Sequence, residues 1–120
     1  MQAKPGAPVY LYYFDRKPPG HDRDRYGAFH CAEIEYAFNT QFATDRPWED
    51  VDRRLAAQVI AYWTNFAKNG DPNGAGLPEW PRCDPTKDAE MEIGDKVGAR
   101  PVSDSDRLDF LERSLLKEAR

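Results

Sequence analysis

The chain carries two histidines, and one of them, His30, sits in the run Gly27-Ala28-Phe29-His30-Cys31-Ala32-Glu33-Ile34-Glu35-Tyr36-Ala37-Phe38. A glycine-led turn ahead of the imidazole and an apolar, helix-like segment behind it suit a general base. The open backbone gives access, and the element behind gives support. Imidazole changes charge near neutrality, so at such a place it can take a proton from a hydroxyl and return it to a leaving group. That work requires one ring nitrogen to reach a nucleophile while a carboxylate holds the other.

The neighbours of His30 offer other chemistry, each with a plainer alternative. Glu33 lies one helical turn on, so His30-x-x-Glu33 is half of a metal site. No second pair of ligands completes it, and no metal or other cofactor is expected. Cys31 beside His30 suggests a thiol–imidazole pair, but adjacent side chains diverge on a helix or strand. A small buried residue is the reading adopted for Cys31. His21, among charges in a loop, reads as solvated.

Composition sets the outer limits. At 120 residues the chain forms one domain at most, and 32% of its residues are charged, with a net charge of −4. That balance offers no general attraction for nucleic acid or an anionic membrane. No apolar run approaches the ~20 residues of a membrane-spanning helix. Two cysteines without CxxC spacing are too few for a disulfide framework, and a Cys31–Cys83 bridge is not expected. No apolar stretch follows Met1, so no signal peptide is expected at this end.

The elements that must position His30 follow from pattern. Residues 1–8 are rich in Pro and Gly and read as a frayed lead-in. Val9-Tyr10-Leu11-Tyr12-Tyr13-Phe14 is a β-branched and aromatic run, apolar almost throughout, which predicts a strand buried on both faces between helices. No comparable strand is evident to pair with it. Residues 15–27 read as a polar loop turning at Pro18-Pro19-Gly20. A short helix is expected from Ala32 to about Phe38, with Ile34, Ala37 and Phe38 inward.

The strongest periodicity lies over 47–68. Pro47 suits a first turn, Glu49 and Asp50 suit the positive end of the dipole, and Lys68 and Gly70 suit the end. Val51, Leu55, Val59, Tyr62, Trp63 and Phe66 form one stripe, read as core packing in preference to a ligand box. Asp71–Gly76 reads as a turn-rich linker and Leu77–Pro81 as extended. Met91-Glu92-Ile93 and Lys96-Val97 predict a small hairpin around Gly94-Asp95. A last helix is expected from about Asp104, with Leu108, Leu111 and Leu115 on one side.

Four of these stretches, in order, resemble the type-B carboxylesterases, the cholinesterase-like and para-nitrobenzyl-esterase-like branch of the α/β-hydrolases. Pro8–Asp15 is similar to the family strand that leads to the histidine loop. Gly27-Ala28-Phe29-His30 with Glu33, Ile34, Tyr36 and Phe38 matches G-A-x-H-x-x-E-[IL]-x-Y-x-F. Trp63–Asn73 matches W-x-x-F-A-x-x-G-x-P-N, and Leu77–Pro81 the W-P segment after it. Cys83, where tyrosine is usual, and Ala37, where a larger aliphatic is common, depart from the pattern without touching His30.

The resemblance covers essentially all 120 residues and implies an α/β fold. The expected piece is the C-terminal part of an α/β-hydrolase: one core strand, the histidine loop, a short helix, a long amphipathic helix, a small hairpin and a C-terminal helix. It implies that His30 is the triad base and that Glu33 anchors the histidine loop by hydrogen bonds. In such enzymes the nucleophile is the serine of G-x-S-x-G, and chain order runs serine, acid, histidine. The serines of this chain are Ser103, Ser105 and Ser114, none flanked by glycines in that way. Ser103 and Ser105 read as helix caps and Ser114 as an exposed helix position.

Nucleophile, acid and oxyanion hole are therefore expected upstream of this sequence, in a parent enzyme acting on a small ester. A chain holding only the base is expected to be inactive alone as a serine esterase. The alternative is a non-catalytic scaffold or oligomerising module derived from an esterase tail, motivated by the lone strand. Self-association, or assembly with an upstream esterase portion, is expected on either reading.

Overall fold

The computed structural model describes residues 6–84 and 86–118. Most of the lead-in expected over residues 1–8 lies outside them. In chain order the elements are β1 (Tyr12–Phe14), α1 (Arg23–Tyr26), α2 (Ile34–Ala37), a 3₁₀ turn (Gln41–Ala43), α3 (Asp50–Asn69), β2 (Ala89–Ile93), β3 (Val97–Pro101) and α4 (Ser105–Glu118). The fold is mixed α/β, as expected.

The expected long helix is α3. Its first turn is closed by Asp52, whose Oδ2 accepts the Glu49 backbone N–H at 2.9 Å. Pro47 lies just before the helix instead of inside its first turn. At the other end Gly70 adopts φ 72° and its N–H bonds the Phe66 carbonyl at 2.8 Å, the left-handed stop that glycine makes without strain.

β1 does have a partner. It pairs in parallel with β2, in register Tyr12↔Met91 and Phe14↔Ile93, and β2 pairs antiparallel with β3. The hairpin was legible from its turn, but a parallel neighbour needs a long crossover, and here α3 lies within it. Residues Met91 and Ile93 face α3 and join Leu55, Ala56, Val59, Tyr62, Trp80 and Tyr36 in the core. Burying side chains of this size contributes about 1.5–3 kcal/mol each before ordering costs are subtracted.

Only one face of the sheet is covered, which corrects the expectation of a strand buried on both sides. Leu11 and Tyr13 point the other way and are 42% and 47% exposed. On that open face Arg100 lies over the Tyr13 ring at 5.0 Å and pairs with Glu90 and Glu92. The Met91 N–H bonds the Leu11 carbonyl and the Asp15 N–H bonds the Ile93 carbonyl. Alternate residues turn their backbone groups to opposite sides, so those of Tyr12 and Phe14 face the outer edge. Among the described residues no strand pairs with that edge.

The motif residues after α3 act as staples. The Asn73 side chain accepts the Trp80 N–H at 2.7 Å and donates to the Trp80 carbonyl at 2.9 Å. Trp80 Nε1 donates to the Leu11 carbonyl at 3.1 Å, and Tyr62 donates its hydroxyl to the Pro78 carbonyl at 2.6 Å. Trp80 is thereby locked edge-on among Tyr10, Tyr12 and Tyr62. The predicted stripe splits accordingly: Leu55, Val59 and Tyr62 are buried, while Phe66 stays 48% exposed. Trp63 and Phe66, with Tyr10, Tyr12 and Trp80, line an open groove of about 390 Å³.

The serines near α4 do less capping than expected. Ser103 donates its hydroxyl to buried Glu90 at 2.8 Å, and Glu90 also accepts the Ser103 N–H and Arg100 Nε. In the first turn of α4 the N–H groups of Arg107 and Leu108 bond the Asp104 carbonyl. The Ser114 hydroxyl bonds the Phe110 carbonyl one turn back. Leu108, Leu111 and Leu115 share a side of α4 and are more than half exposed. No helix among the described residues is long and apolar enough to cross a membrane.

Candidate active-site histidine loop

The histidine segment hangs between β1 and α3. It leaves β1 at Asp15 and Arg16, makes the single turn of α1, and reverses at Gly27, whose N–H bonds the Arg23 carbonyl at 2.9 Å. Gly27 has φ 59° and ψ −145°, a region that side chains exclude and glycine tolerates. The glycine-led turn is thus present as predicted.

A second, tighter turn follows. The Ala32 N–H bonds the Phe29 carbonyl at 3.0 Å, so His30 and Cys31 are its two central residues. Cys31 has φ 72°, a left-handed conformation that a glycine or asparagine ordinarily supplies at such a corner. His30 is consequently presented outward, at an exposed corner of the chain.

Cys31 is exposed, not buried; Ala32, 1% exposed, takes the inward position. The left-handed corner rotates the cysteine away from the protein and the alanine into it, which sequence adjacency could not reveal. Both cysteines are free thiols. Phe29, on the other side of His30, lies under the Arg46 guanidinium at 5.8 Å, and Arg46 also donates to the Pro19 carbonyl.

Glu33 enters the helix turn through its backbone, its carbonyl accepting the Tyr36 and Ala37 N–H groups at 3.1 and 2.9 Å. Its charge is felt at Tyr12 on β1: burial first, then Glu33, raises the Tyr12 hydroxyl above its ordinary pKa. Among the described residues His30 has neither a hydrogen bond nor an ion pair, whereas His21 stands 3.8 Å from Asp22. The inward residue of the following short helix is Tyr36, fully buried, while Ile34 and Phe38 point outward. Of the three positions expected inward, only Ala37 is packed against the core.

Beneath the loop lies a charged group that pattern reading missed. Arg16, 2% exposed, donates through Nε to Asp52 Oδ1 at 2.7 Å, through Nη2 to Glu49 Oε2 at 2.7 Å and through Nη1 to Asp95 Oδ1 at 2.6 Å. The Tyr36 hydroxyl donates to the same Asp52 oxygen at 2.8 Å. Burial by itself would raise the Asp52 carboxyl, but the bonds from Arg16, the Glu49 N–H and Tyr36 outweigh it and hold it below its ordinary range. The bond to Asp52 in turn holds the Arg16 guanidinium firmly protonated. Tyr36 is raised by burial first and then by the neighbouring carboxylate. The signal available in sequence was Glu49-x-x-Asp52, a helix-start spacing in which the second acid folds back.

A sequence model described as "Carboxylesterase family" matches residues 1–111. The chain belongs to the carboxylesterase family.

Within this family, it is 40% identical over 82 residues to the medium-chain fatty acyl-CoA hydrolase precursor of Anas platyrhynchos, covering 66% of this chain and 14% of the relative. It is 33% identical over 117 residues to carboxylesterase 1D of Rattus norvegicus, covering 95% and 20%. The chain therefore spans about a fifth or less of the length of these relatives.

A solved PNB esterase superposes with TM-score 0.72 over 85% of this chain and 21% of its own, at 21% identity. An esterase from Clostridium hathewayi, described as able to hydrolyse aliphatic aromatic polyesters, superposes with TM-score 0.70 over 80% and 19%, at 26% identity. The carboxylesterase fold of this segment thus persists at low sequence identity. The match includes the residues 27–38 run that carries His30.

Proposed function

We propose that this chain is the C-terminal portion of a serine carboxylesterase and that His30 is its general base. The observation that carries this reading is the outward presentation of His30 at a left-handed corner, in a segment matched throughout by the family. In the assembled enzyme His30 would take the proton of the serine hydroxyl as it attacks the ester carbonyl, then give it to the leaving alcohol. The chain contributes no G-x-S-x-G serine, so the nucleophile, the acid partner of the imidazole and the oxyanion donors come from the upstream portion. Carboxylic esters are the substrate class, by analogy with the carboxylesterase and esterase relatives named above.

The open edge of β1 and the uncovered sheet face supply the surface for that portion. An unpaired edge accepts a further strand, and the Leu11–Tyr13 face accepts a packed layer. A second copy of the chain competes for the same surface, so the isolated chain is expected to self-associate.

The test is a chimera in which this chain replaces the matching segment of the PNB esterase. It should hydrolyse p-nitrophenyl acetate, and His30→Ala should lower kcat/KM by about 10²–10⁴-fold. The isolated chain should give no turnover above buffer. Turnover by the isolated chain that a serine-directed organophosphate blocks, or a chimera indifferent to His30→Ala, would overturn the reading.

A further inference from the structure

Arg16 and Tyr36 bracket the histidine segment, fourteen residues before and six after His30. Both converge on one oxygen of Asp52, which belongs to neither end of the segment but to the first turn of α3. We propose that Asp52, Arg16 and Tyr36 form a positioning unit that pins both ends of the histidine segment to the start of α3 and so sets where His30 stands. This rests on the reading of His30 as the base.

Three features of the geometry argue for a fixed anchor over an ordinary surface ion pair. Asp52 is fully buried and accepts from three different parts of the chain: Arg16 and Tyr36 on one oxygen and the Glu49 N–H on the other. Arg16 also donates to Glu49 at the cap of α3 and to Asp95 in the β2–β3 turn, so the guanidinium cannot swing without breaking a second bond to the start of α3 and one to the hairpin. Planar, forked donors of this kind hold direction as well as distance, which a lysine would not.

The packing runs the same way. The Tyr36 ring sits between Phe14, at 5.2 Å, and Trp48, at 5.8 Å edge-on, so its hydroxyl reaches Asp52 from a defined direction. Near the Arg16 end the chain is also held by buried Pro18 and by Arg46, which donates to the Pro19 carbonyl. Around His30 the supports are fewer: Ala32 is buried below the corner and Phe29 lies under Arg46. A displacement of the Tyr36 anchor, six residues on, is therefore passed to the turn at His30. None of the three anchor residues touches the imidazole; they act through the backbone they hold.

Amide hydrogen exchange and NMR on the full chain test this without any ester present. In Tyr36→Phe, which deletes one hydroxyl, and in Arg16→Lys, exchange at the hydrogen-bonded amides of Gly27, Ala32 and Ile34 should rise about 10-fold. That at Val59 and Met91, after correction for the loss of global stability that urea unfolding gives for the same variant, should change less than about 2-fold. The His30 Cε1–H resonance should broaden while that of His21 keeps its width. Equal loosening of the turn and the core in both variants would reduce the group to a general stabiliser and overturn the proposal. An unchanged turn would do so as well. A chimera indifferent to His30→Ala, with the exchange pattern as expected, would instead remove the catalytic reading and leave the anchoring intact.

Discussion

The Tyr36 hydroxyl donates to Asp52 Oδ1 at 2.8 Å, although the two residues stand on different helices and face one another across the core. The same oxygen takes Arg16 Nε at 2.7 Å. A buried carboxylate shared by a phenol and a guanidinium is stable only while all members are present, and this has consequences that can be measured.

Arg16→Met should be severely destabilising. It leaves Asp52 charged and unpaired in the interior, a change that costs about 3–5 kcal/mol. Tyr36→Phe removes a hydrogen bond to a charged group and should cost about 1.5–3 kcal/mol. Urea unfolding measures both. The double variant should cost clearly less than the sum, because the two donors share one acceptor; strict additivity would refute the shared anchor.

The pH dependence follows from two carboxylates shifted in opposite directions. Asp52 is held below its ordinary range, so the unfolded chain binds its proton more tightly than the folded one. The stability it contributes is fully present above the unfolded pKa of about 3.9 and is lost as pH falls through the lower folded value. Asp15 is raised, by burial first and then by Glu92, so its contribution is present at low pH and lost as pH rises through its folded pKa. At pH 7 Asp52→Asn should therefore lower the urea midpoint and Asp15→Asn should raise it. The Asp15 difference should vanish on acidification below its unfolded pKa of about 3.9. A midpoint for Asp15→Asn below wild type at pH 7 would contradict this.

Three glycines separate conformational from steric cost. Gly27→Ala meets no neighbour within 4 Å but must hold φ 59° with ψ −145°, at about 1–3 kcal/mol. Gly94→Ala has an ordinary φ, but its new methyl runs into the Asp15 carboxylate, so a loss of about 1–3 kcal/mol is expected from overpacking. Gly98→Ala enters open space on β3 and should be close to neutral. Thermal denaturation of the set, with Gly94→Ala repeated in an Asp15→Ala background, checks the assignment: only the Gly94 penalty should shrink there.

By itself the sequence determined most of the local elements and the family, although it read the single turn of α1 as loop. α3 was legible because an apolar stripe, an acidic start and Gly70 all act within a few residues of one another. The β2–β3 hairpin was legible from its turn, and His30 from the glycine before it. The three stretches from Gly27 to Pro81 carried the carboxylesterase resemblance because each is a dense run whose residues serve one local structure.

The tertiary structure decided the rest, because each remaining feature joins residues far apart along the chain. The pairing of β1 with β2 depends on a crossover that includes α3, so β1 looked partnerless in sequence. Arg16 read as part of a polar loop, Glu49 as a helix-start acid and Asp95 as a turn residue, until folding brought them together with Asp52 as three carboxylates around one guanidinium. Cys31 read as buried because nothing in the local pattern specifies its left-handed φ. That one dihedral turns cysteine outward and alanine inward, and leaves His30 at the exposed corner between them.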